Sequence, residues 1–342
     1  MKKKNIIKKL LSVILSAATM FSLLTLPAHA IIPGEDAYGG ESHIVCYDYD
    51  TGIEVPVEVS HTNLYPDTTT YSFLDESELM QVTNEMETRT IIGNENRVKV
   101  YPTQDPYSGV VLVITLLDSN GDNIADAYIP GTGFMVSERV MLTARHCVYD
   151  AVDDILEVRV YQGVSVSHSY DGVNIMTYLD CLDPYEYDTL INSVYDTRYA
   201  NTAGRERQEH DWNIGILREG FDCYYFNCGT IYNGLDGASI TVTGYPDAES
   251  SDNPSQSFYM YAGQGTYTVV NDNPAFEESY REEVFFHDAD TITGQSGGPV
   301  YLSNVQGSIC YGIQIAGTSS FNIAKGITAY IYNLLVQIIS NT

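Results

Sequence analysis

Positive charge is scarce in this chain: 17 lysines and arginines stand against 45 aspartates and glutamates, a formal net charge of -28 over 342 residues. Five of the lysines (Lys2, Lys3, Lys4, Lys8 and Lys9) lie within the first ten positions, so the remainder is more acidic still. Nucleic acid and anionic membrane surfaces both require clustered Lys and Arg, so the charge balance argues against both as partners. The acidic surface is read as a solubility device. Six cysteines are too few for a disulfide-built scaffold at this length. Neither His-Glu-x-x-His nor a paired Cys-x-x-Cys occurs, so no metal site and no cofactor is expected. Repeats and a wall-anchoring tail are also missing, which speaks against an acidic surface-structural protein. Apolar stretch 109–117 is too short to span a bilayer.

What is present centres on Thr293-Gly294-Gln295-Ser296-Gly297-Gly298-Pro299-Val300. Glycines on both sides of a serine loosen helix and strand alike and suit a loop where backbone approaches a substrate closely. The N–H groups of Gly294 and Ser296 can then face one developing oxyanion while the hydroxyl attacks a carbonyl. By itself such a block is often an ordinary turn before a strand. A serine nucleophile also needs a base, normally a histidine oriented by a carboxylate. His29, His43 and His61 fall in segments expected to be removed, leaving His146, His168, His210 and His287. His146 ends an apolar strand in Leu142-Thr143-Ala144-Arg145-His146-Cys147. Asp211 opens an alternating apolar strand in Asp211-Trp212-Asn213-Ile214-Gly215-Ile216-Leu217. The order is His, Asp, Ser. An α/β-hydrolase elbow would place its histidine after the serine, and no histidine follows Ser296.

In these residues the sequence resembles the trypsin-like, chymotrypsin-fold serine endopeptidases, and within them the bacterial glutamyl-endopeptidase (V8-like) branch. The blocks that carry it are Gly131-Thr132-Gly133-Phe134-Met135-Val136, 142–150 around His146, Thr241-Val242-Thr243-Gly244-Tyr245-Pro246 and Gly294–Val300. Ile91-Ile92-Gly93 looks like the mature start of that branch. The resemblance covers roughly residues 90–340 and implies an all-β fold: two antiparallel six-stranded β-barrels with a C-terminal helix. It implies a catalytic triad of His146, Asp211 and Ser296, an oxyanion hole from Gly294 and Ser296, and an acyl-enzyme mechanism without cofactor. Glu186, Asp188 and Asp196 compete with Asp211 for the third role, and His210 is read as a surface residue. In the family, the cysteine after the histidine often pairs with one at the position of Gly131, so Cys147 lacks that partner here. Cys181 is a substitute, Cys223 and Cys228 can close a short loop, and one thiol remains free.

Along the chain, 1–30 reads as a secretory signal peptide, with a lysine-rich start, an apolar stretch and Ala28-His29-Ala30. An uncleaved anchor is the alternative. Residues 31–89 are acidic and turn-rich, with one alternating segment at 53–59, and read as a propeptide removed near Arg89; a plain linker is the bland alternative. Residues 90–342 form the protease domain, with barrels at roughly 90–220 and 221–342. Short strands with turns fill it, 165–210 reads as long surface loops, and 327–339 has the apolar spacing of a helix. A secreted, extracellular monomer acting on protein or peptide substrates, released by an activating protease, is the expectation.

Specificity is open. Thr291 matches a threonine that, in the glutamyl branch, helps bind the substrate carboxylate, while the histidine of that branch is replaced by Gln314 in the strand ending at Gly317. Glutamine brings donors but no charge. Asp290 stands where trypsin-like enzymes hold the acid that binds Arg or Lys. Cleavage after Glu or Asp and cleavage after Arg or Lys are both live readings. So is an inactive binding protein on a protease fold, although no triad member is missing.

Overall fold

The computed structural model describes residues 43–57, 91–92, 95–151, 154–166, 179, 181–231, 235–247, 258–268, 283–304, 307–318 and 320–342. The expected signal peptide at 1–30, the processing site near Arg89 and His168 lie outside them.

A hairpin of β1 (Ile44–Asp48) and β2 (Ile53–Pro56) comes first, followed by the short β3 (Val98–Lys99). The next six strands are β4 (Val110–Asp118), β5 (Ala127–Met135), β6 (Val140–Thr143), β7 (Asp154–Tyr161), β8 (Tyr187–Asp196) and β9 (Asn213–Leu217). They run β8-β7-β4-β5-β6-β9, and antiparallel pairing of β8 with β9 closes the ring. After a two-residue β10 (Asn227–Cys228) come β11 (Ser239–Gly244), β12 (Tyr261–Thr268), β13 (Val284–His287), β14 (Pro299–Asn304), β15 (Gly307–Gly317) and β16 (Asn322–Gly326). Their order is β15-β14-β11-β12-β13-β16, closed by β15 with β16. The result is two closed six-stranded antiparallel barrels. Closure pairs most of each barrel's strand edges, which is how such a sheet avoids offering a template for aggregation, and β1 covers the part of β8 beyond its pairing with β7.

The apolar patterns account for the strands. β4 (Val-Val-Leu-Val-Ile-Thr-Leu-Leu-Asp) is buried along its whole length, and its one hydroxyl, Thr115, is satisfied by donating to the carbonyl of Cys147 at 2.7 Å. The expected helix forms as α3 (Ala329–Ile339); among the described residues it is preceded by the short helices α1 (Arg198–Asn201) and α2 (Gly204–Glu209). Thr328 caps α3 by accepting the N–H of Ile331. Ile331, Leu334, Leu335 and Ile338 bury one face of α3 in the common core.

Four expectations change. The stretch 165–210 was expected as surface loops, yet it contains the ten-residue β8, the strand that closes the first barrel. Its pattern is obscured because the buried Asp188, Asn192, Ser193 and Asp196 are polar. They are held by hydrogen bonds: Asp188 accepts the N–H groups of Thr189, Glu219 and Gly220. The sequence reads as two strands, 257–262 and 265–270, whereas the described part of this stretch holds one, β12 (Tyr261–Thr268). β16, Asn-Ile-Ala-Lys-Gly, was not expected; its buried Lys325 contacts Glu283. Finally, residues 91–92 and 95–99 attach to the second barrel and not the first: β3 pairs with β12, and Ile92 and Asn96 donate to Asp290.

None of the six cysteines is in a disulfide, so the bridges considered for Cys181 and for Cys223 with Cys228 are absent. A Cβ added to Gly131 would lie 2.6 Å from the Cys147 sulfur, so the two positions touch, as the resemblance implies, without a bond between them.

Leu334 has no exposed surface. Leu334→Ala is expected to destabilise the protein by about 2–5 kcal/mol through lost burial and the cavity left behind. Thermal denaturation of the full chain, with the m-value of urea unfolding unchanged, checks this.

Candidate active site

The site forms where the two barrels face each other, and Thr132 on β5 is its junction. The Thr132 N–H donates to the carbonyl of Ser296 at 2.7 Å. Its hydroxyl donates to the carbonyl of Gly294 at 2.8 Å and accepts the N–H of Tyr245 at 2.9 Å. Its carbonyl accepts the hydroxyl of Thr143 at 2.7 Å. A first-barrel strand therefore grips the serine loop of the second barrel at several points. On the other side, the Gly297 N–H donates to the carbonyl of Gln314 at 2.7 Å, and the Gln314 N–H to that of Gly298 at 2.9 Å.

Such contact requires glycine at two positions. Gly294 and Gly297 have φ of 90° and 83°, a region costly for L side chains. A Cβ at Gly297 would lie 1.9 Å from the carbonyl oxygen of Thr132, and one at Gly294 2.4 Å from the backbone nitrogen of Asp247. The glycines are there because backbone meets backbone.

In that frame the three expected residues meet. His146 sits on a 3₁₀ turn, Arg145–Cys147, directly after β6. Its Nε2 is 2.5 Å from the Ser296 Oγ, and its Nδ1 is 2.7 Å from the Asp211 Oδ2. The backbone N–H of His146 donates to the other Asp211 oxygen at 3.0 Å. Asp211 thus holds both the ring and its backbone. With Nδ1–H donating to Asp211, Nε2 is free to accept the serine proton. Burial disfavours the imidazolium, but the adjacent Asp211 carboxylate outweighs it, so His146 is held above its ordinary value. Of the competing acids, Asp188 caps backbone N–H groups, and Asp196 pairs with Arg198 at 2.6 Å and His210 at 3.1 Å. Burial works against the Asp196 charge, yet the hydrogen bonds from His210 and Arg198 prevail and keep its carboxyl far below the usual range. His210 is buried and structural, contrary to the surface position expected for it.

A family model described as a trypsin-like peptidase domain matches residues 131–310, more than half of the chain. The chain belongs to the trypsin-like peptidase family. It is a serine endopeptidase. It is 24% identical over 263 residues to a glutamyl endopeptidase of Bacillus licheniformis, covering 73% of this chain and 69% of that one. Among solved structures, a Glu endopeptidase in complex with MPD superposes with a TM-score of 0.52 at 18% identity, covering 73% of this chain and all of the other. The second likeness is one of fold.

For a trypsin-like peptidase, the neighbourhood of the serine decides what is bound, and here the structure departs from expectation. Asp290 is fully buried, and its two oxygens accept the N–H groups of Ile92 (2.6 Å) and Asn96 (2.7 Å). Both oxygens of the carboxylate are occupied by backbone of the arm that leads into β3 (Ile92 and 95–97), so Asp290 does not stand free to meet an Arg or Lys side chain. The same arm places the Arg97 guanidinium on the Gln295 Oε1 at 3.1 Å. Thr291 and Gln314 do come together: the Gln314 Nε2 donates to the Thr291 Oγ at 3.3 Å and to the Ala316 carbonyl at 2.8 Å. Gly317 ends β15 opposite Asn322.

The residue that sequence reasoning passed over is His287. Its Nε2–H donates to the Gln314 Oε1 at 2.7 Å, and the ring is completely buried. Complete burial outweighs that hydrogen bond and pushes His287 down to about 4, so the ring is neutral at pH 7. Its only sequence signal was a histidine ending an apolar run, Val284-Phe285-Phe286-His287.

Replacing Thr132 by valine keeps the shape but strands the N–H of Tyr245 and the carbonyl of Gly294. Each stranded buried group costs about 1–3 kcal/mol. Thr132→Val is therefore expected to lower the melting temperature by several degrees, with Thr132→Ser retaining most of the stability. Calorimetry on the two variants checks this.

Proposed function

We propose that this protein is a secreted endopeptidase that hydrolyses peptide bonds through an acyl-enzyme formed on Ser296. The observation that carries the proposal is the unbroken relay from Asp211 through His146 to Ser296, at 2.7 and 2.5 Å. His146 Nε2 takes the Ser296 proton as Oγ attacks the scissile carbonyl, and the imidazolium is stabilised by Asp211. The N–H groups of Gly294 and Ser296 are assigned to the oxyanion. His146 then protonates the leaving amine, and water repeats the cycle to release the acid.

Cleavage after Glu is the favoured specificity. Thr291, whose hydroxyl accepts one Gln314 N–H and keeps its own proton to donate, is the neutral donor offered to a carboxylate, with Gln314 held behind it by His287 and the Ala316 carbonyl. The relative named as a glutamyl endopeptidase supports the same reading. Specificity for Arg or Lys is disfavoured because Asp290 is engaged by the arm. Secretion rests on the signal-like start; among the described residues no helix is long and apolar enough to cross a membrane. Release by an activating protease and a monomeric state belong to the same proposal.

Two measurements test it. A mixed peptide library is incubated with protein secreted from the full-length precursor and with its Ser296→Ala variant. Cuts after Glu that vanish in the variant are expected; cuts after Arg or Lys would overturn the pocket assignment, and equal inertness of both proteins the activity. Asp211→Asn is expected to lower kcat by about four orders of magnitude. It should also move the acid limb of the kcat/KM profile to lower pH, because Asp211 raises His146. The sign for stability is the reverse of an acid's. A raised histidine contributes below its ordinary value and loses that contribution as pH rises through the raised one, so the variant should lose more stability at pH 5 than at alkaline pH.

A further inference from the structure

The hairpin of β1 and β2 lies in the segment that the sequence marks for removal, yet it is built into the first barrel. β8 is ten residues long, and β7 pairs only with Tyr187, Asp188 and Thr189. The same edge of β8 from Asn192 to Asp196 is covered by β1, in register from Asp48↔Asn192 to Ile44↔Asp196. The Thr197 N–H extends the ladder to the carbonyl of His43 at 2.8 Å, and the Tyr49 N–H donates to that of Ile191 at 3.0 Å. Without β1, five residues of β8 would present unpaired backbone groups, the arrangement that natural sheets cover or blunt.

The attachment is apolar as well. Ile44, Val45, Cys46 and Val57 are each 8% exposed or less, and Ile44, Cys46 and Val57 belong to the same core as β4 and β9. A removable inhibitor has no need of side chains inside the core of the domain it leaves.

The hairpin also reaches the candidate catalytic histidine. The Tyr195 hydroxyl donates to the carboxylate of Glu54 on β2. The guanidinium of Arg145, which precedes His146, lies over the Tyr195 ring at 3.4 Å from its centroid. Glu54, Arg145, Tyr149 and Tyr195 line one cleft. The acidic hairpin thus meets a buried cation at the base of the turn that presents His146.

We infer that residues 44–57 are a permanent part of the first barrel, which stays bound non-covalently when the chain is cut before Ile91 and holds the Arg145–His146 turn in position. The inference rests on the proposed activity only for its kinetic consequence. Binding and stability are independent of it.

The test uses the full chain with the recognition sequence of an unrelated protease substituted for residues 84–90, compared before and after that cut. Native mass spectrometry is expected to show both fragments in one particle, with a melting temperature within about 2 °C of the uncut chain, a shift below 1 kcal/mol at this size. A chain beginning at Ile91 is expected to melt lower and to react with a fluorophosphonate at Ser296 on the order of ten- to a hundredfold more slowly. Adding a synthetic peptide of residues 42–58 should restore both. Because the hairpin acts through the turn of His146, its loss should lower kcat and leave KM near its original value. In the full chain, Val45→Asp should weaken retention after the cut. An N-terminal fragment that separates freely, leaving 91–342 with unchanged melting and labelling, would overturn the inference. Retention with no labelling in any form would leave the hairpin in place and overturn the proposed activity instead.

Discussion

The close approach of Gly297 to the carbonyl of Thr132 is the constraint on which the site depends. Neither barrel contains the candidate site alone: His146 and Asp211 belong to the first, and Ser296 to the second. A relay of 2.7 and 2.5 Å demands that the two be fixed to within fractions of an ångström. Side-chain packing alone does not supply such precision across a domain boundary, whereas backbone hydrogen bonds have narrow geometry. The N–H of Thr132 on Ser296, its hydroxyl between Gly294 and Tyr245, and the absent Cβ of Gly297 are what set the distance.

That dependence explains which parts of the molecule were legible in the sequence. Four motif blocks, around Thr132, His146, Tyr245 and Ser296, are far apart in the chain but converge on the serine loop. Each is constrained by several hydrogen bonds at once, so its residue types are distinctive. The barrels were legible where one face is uniformly apolar, as in β4. β8 was not, because a strand buried on account of its hydrogen-bonded Asp188, Asn192, Ser193 and Asp196 has no apolar period to read. The same reason hid β16 with its buried Lys325, and the structural role of His210. A buried polar group gives no local signal; its partner, which justifies it, is distant in sequence.

The pocket shows the limit in a sharper form. Asp290 has the identity and position of an acid that binds a basic side chain, yet its carboxylate is taken by the N–H groups of Ile92 and Asn96. About two hundred residues separate the partners, and both donors are backbone atoms, invisible as residue types. Ligand preference is decided by one or two side chains and by what already occupies them. Conversely, His287 reveals nothing in sequence but stands directly behind Gln314, fixing the orientation of its amide through the Oε1 and so directing the Nε2 towards Thr291.

The scarcity of positive charge has a structural counterpart. Arg145 is stacked on Tyr195, Arg97 bridges Glu95 and Gln295, Arg198 neutralises Asp196, Arg218 meets Asp50 of the hairpin, and Lys325 is enclosed against Glu283. In a chain of net charge -28, these cations serve as fasteners beside carboxylates or over aromatic rings, buried as at Arg145 and Lys325 or exposed as at Arg218. Burying a lone cation in the pocket would add a desolvation cost that a nearby carboxylate must offset, and at that point the substrate is not yet there to do so. Neutral Gln314 and neutral His287 avoid this cost in the unliganded state. For the carboxylate substrate proposed above, the consequence is a weaker intrinsic attraction, exerted against the long-range repulsion of an acidic protein. Screening by salt removes the repulsion and leaves the short hydrogen bonds intact, so the proposed specificity is better served at appreciable ionic strength than at low salt.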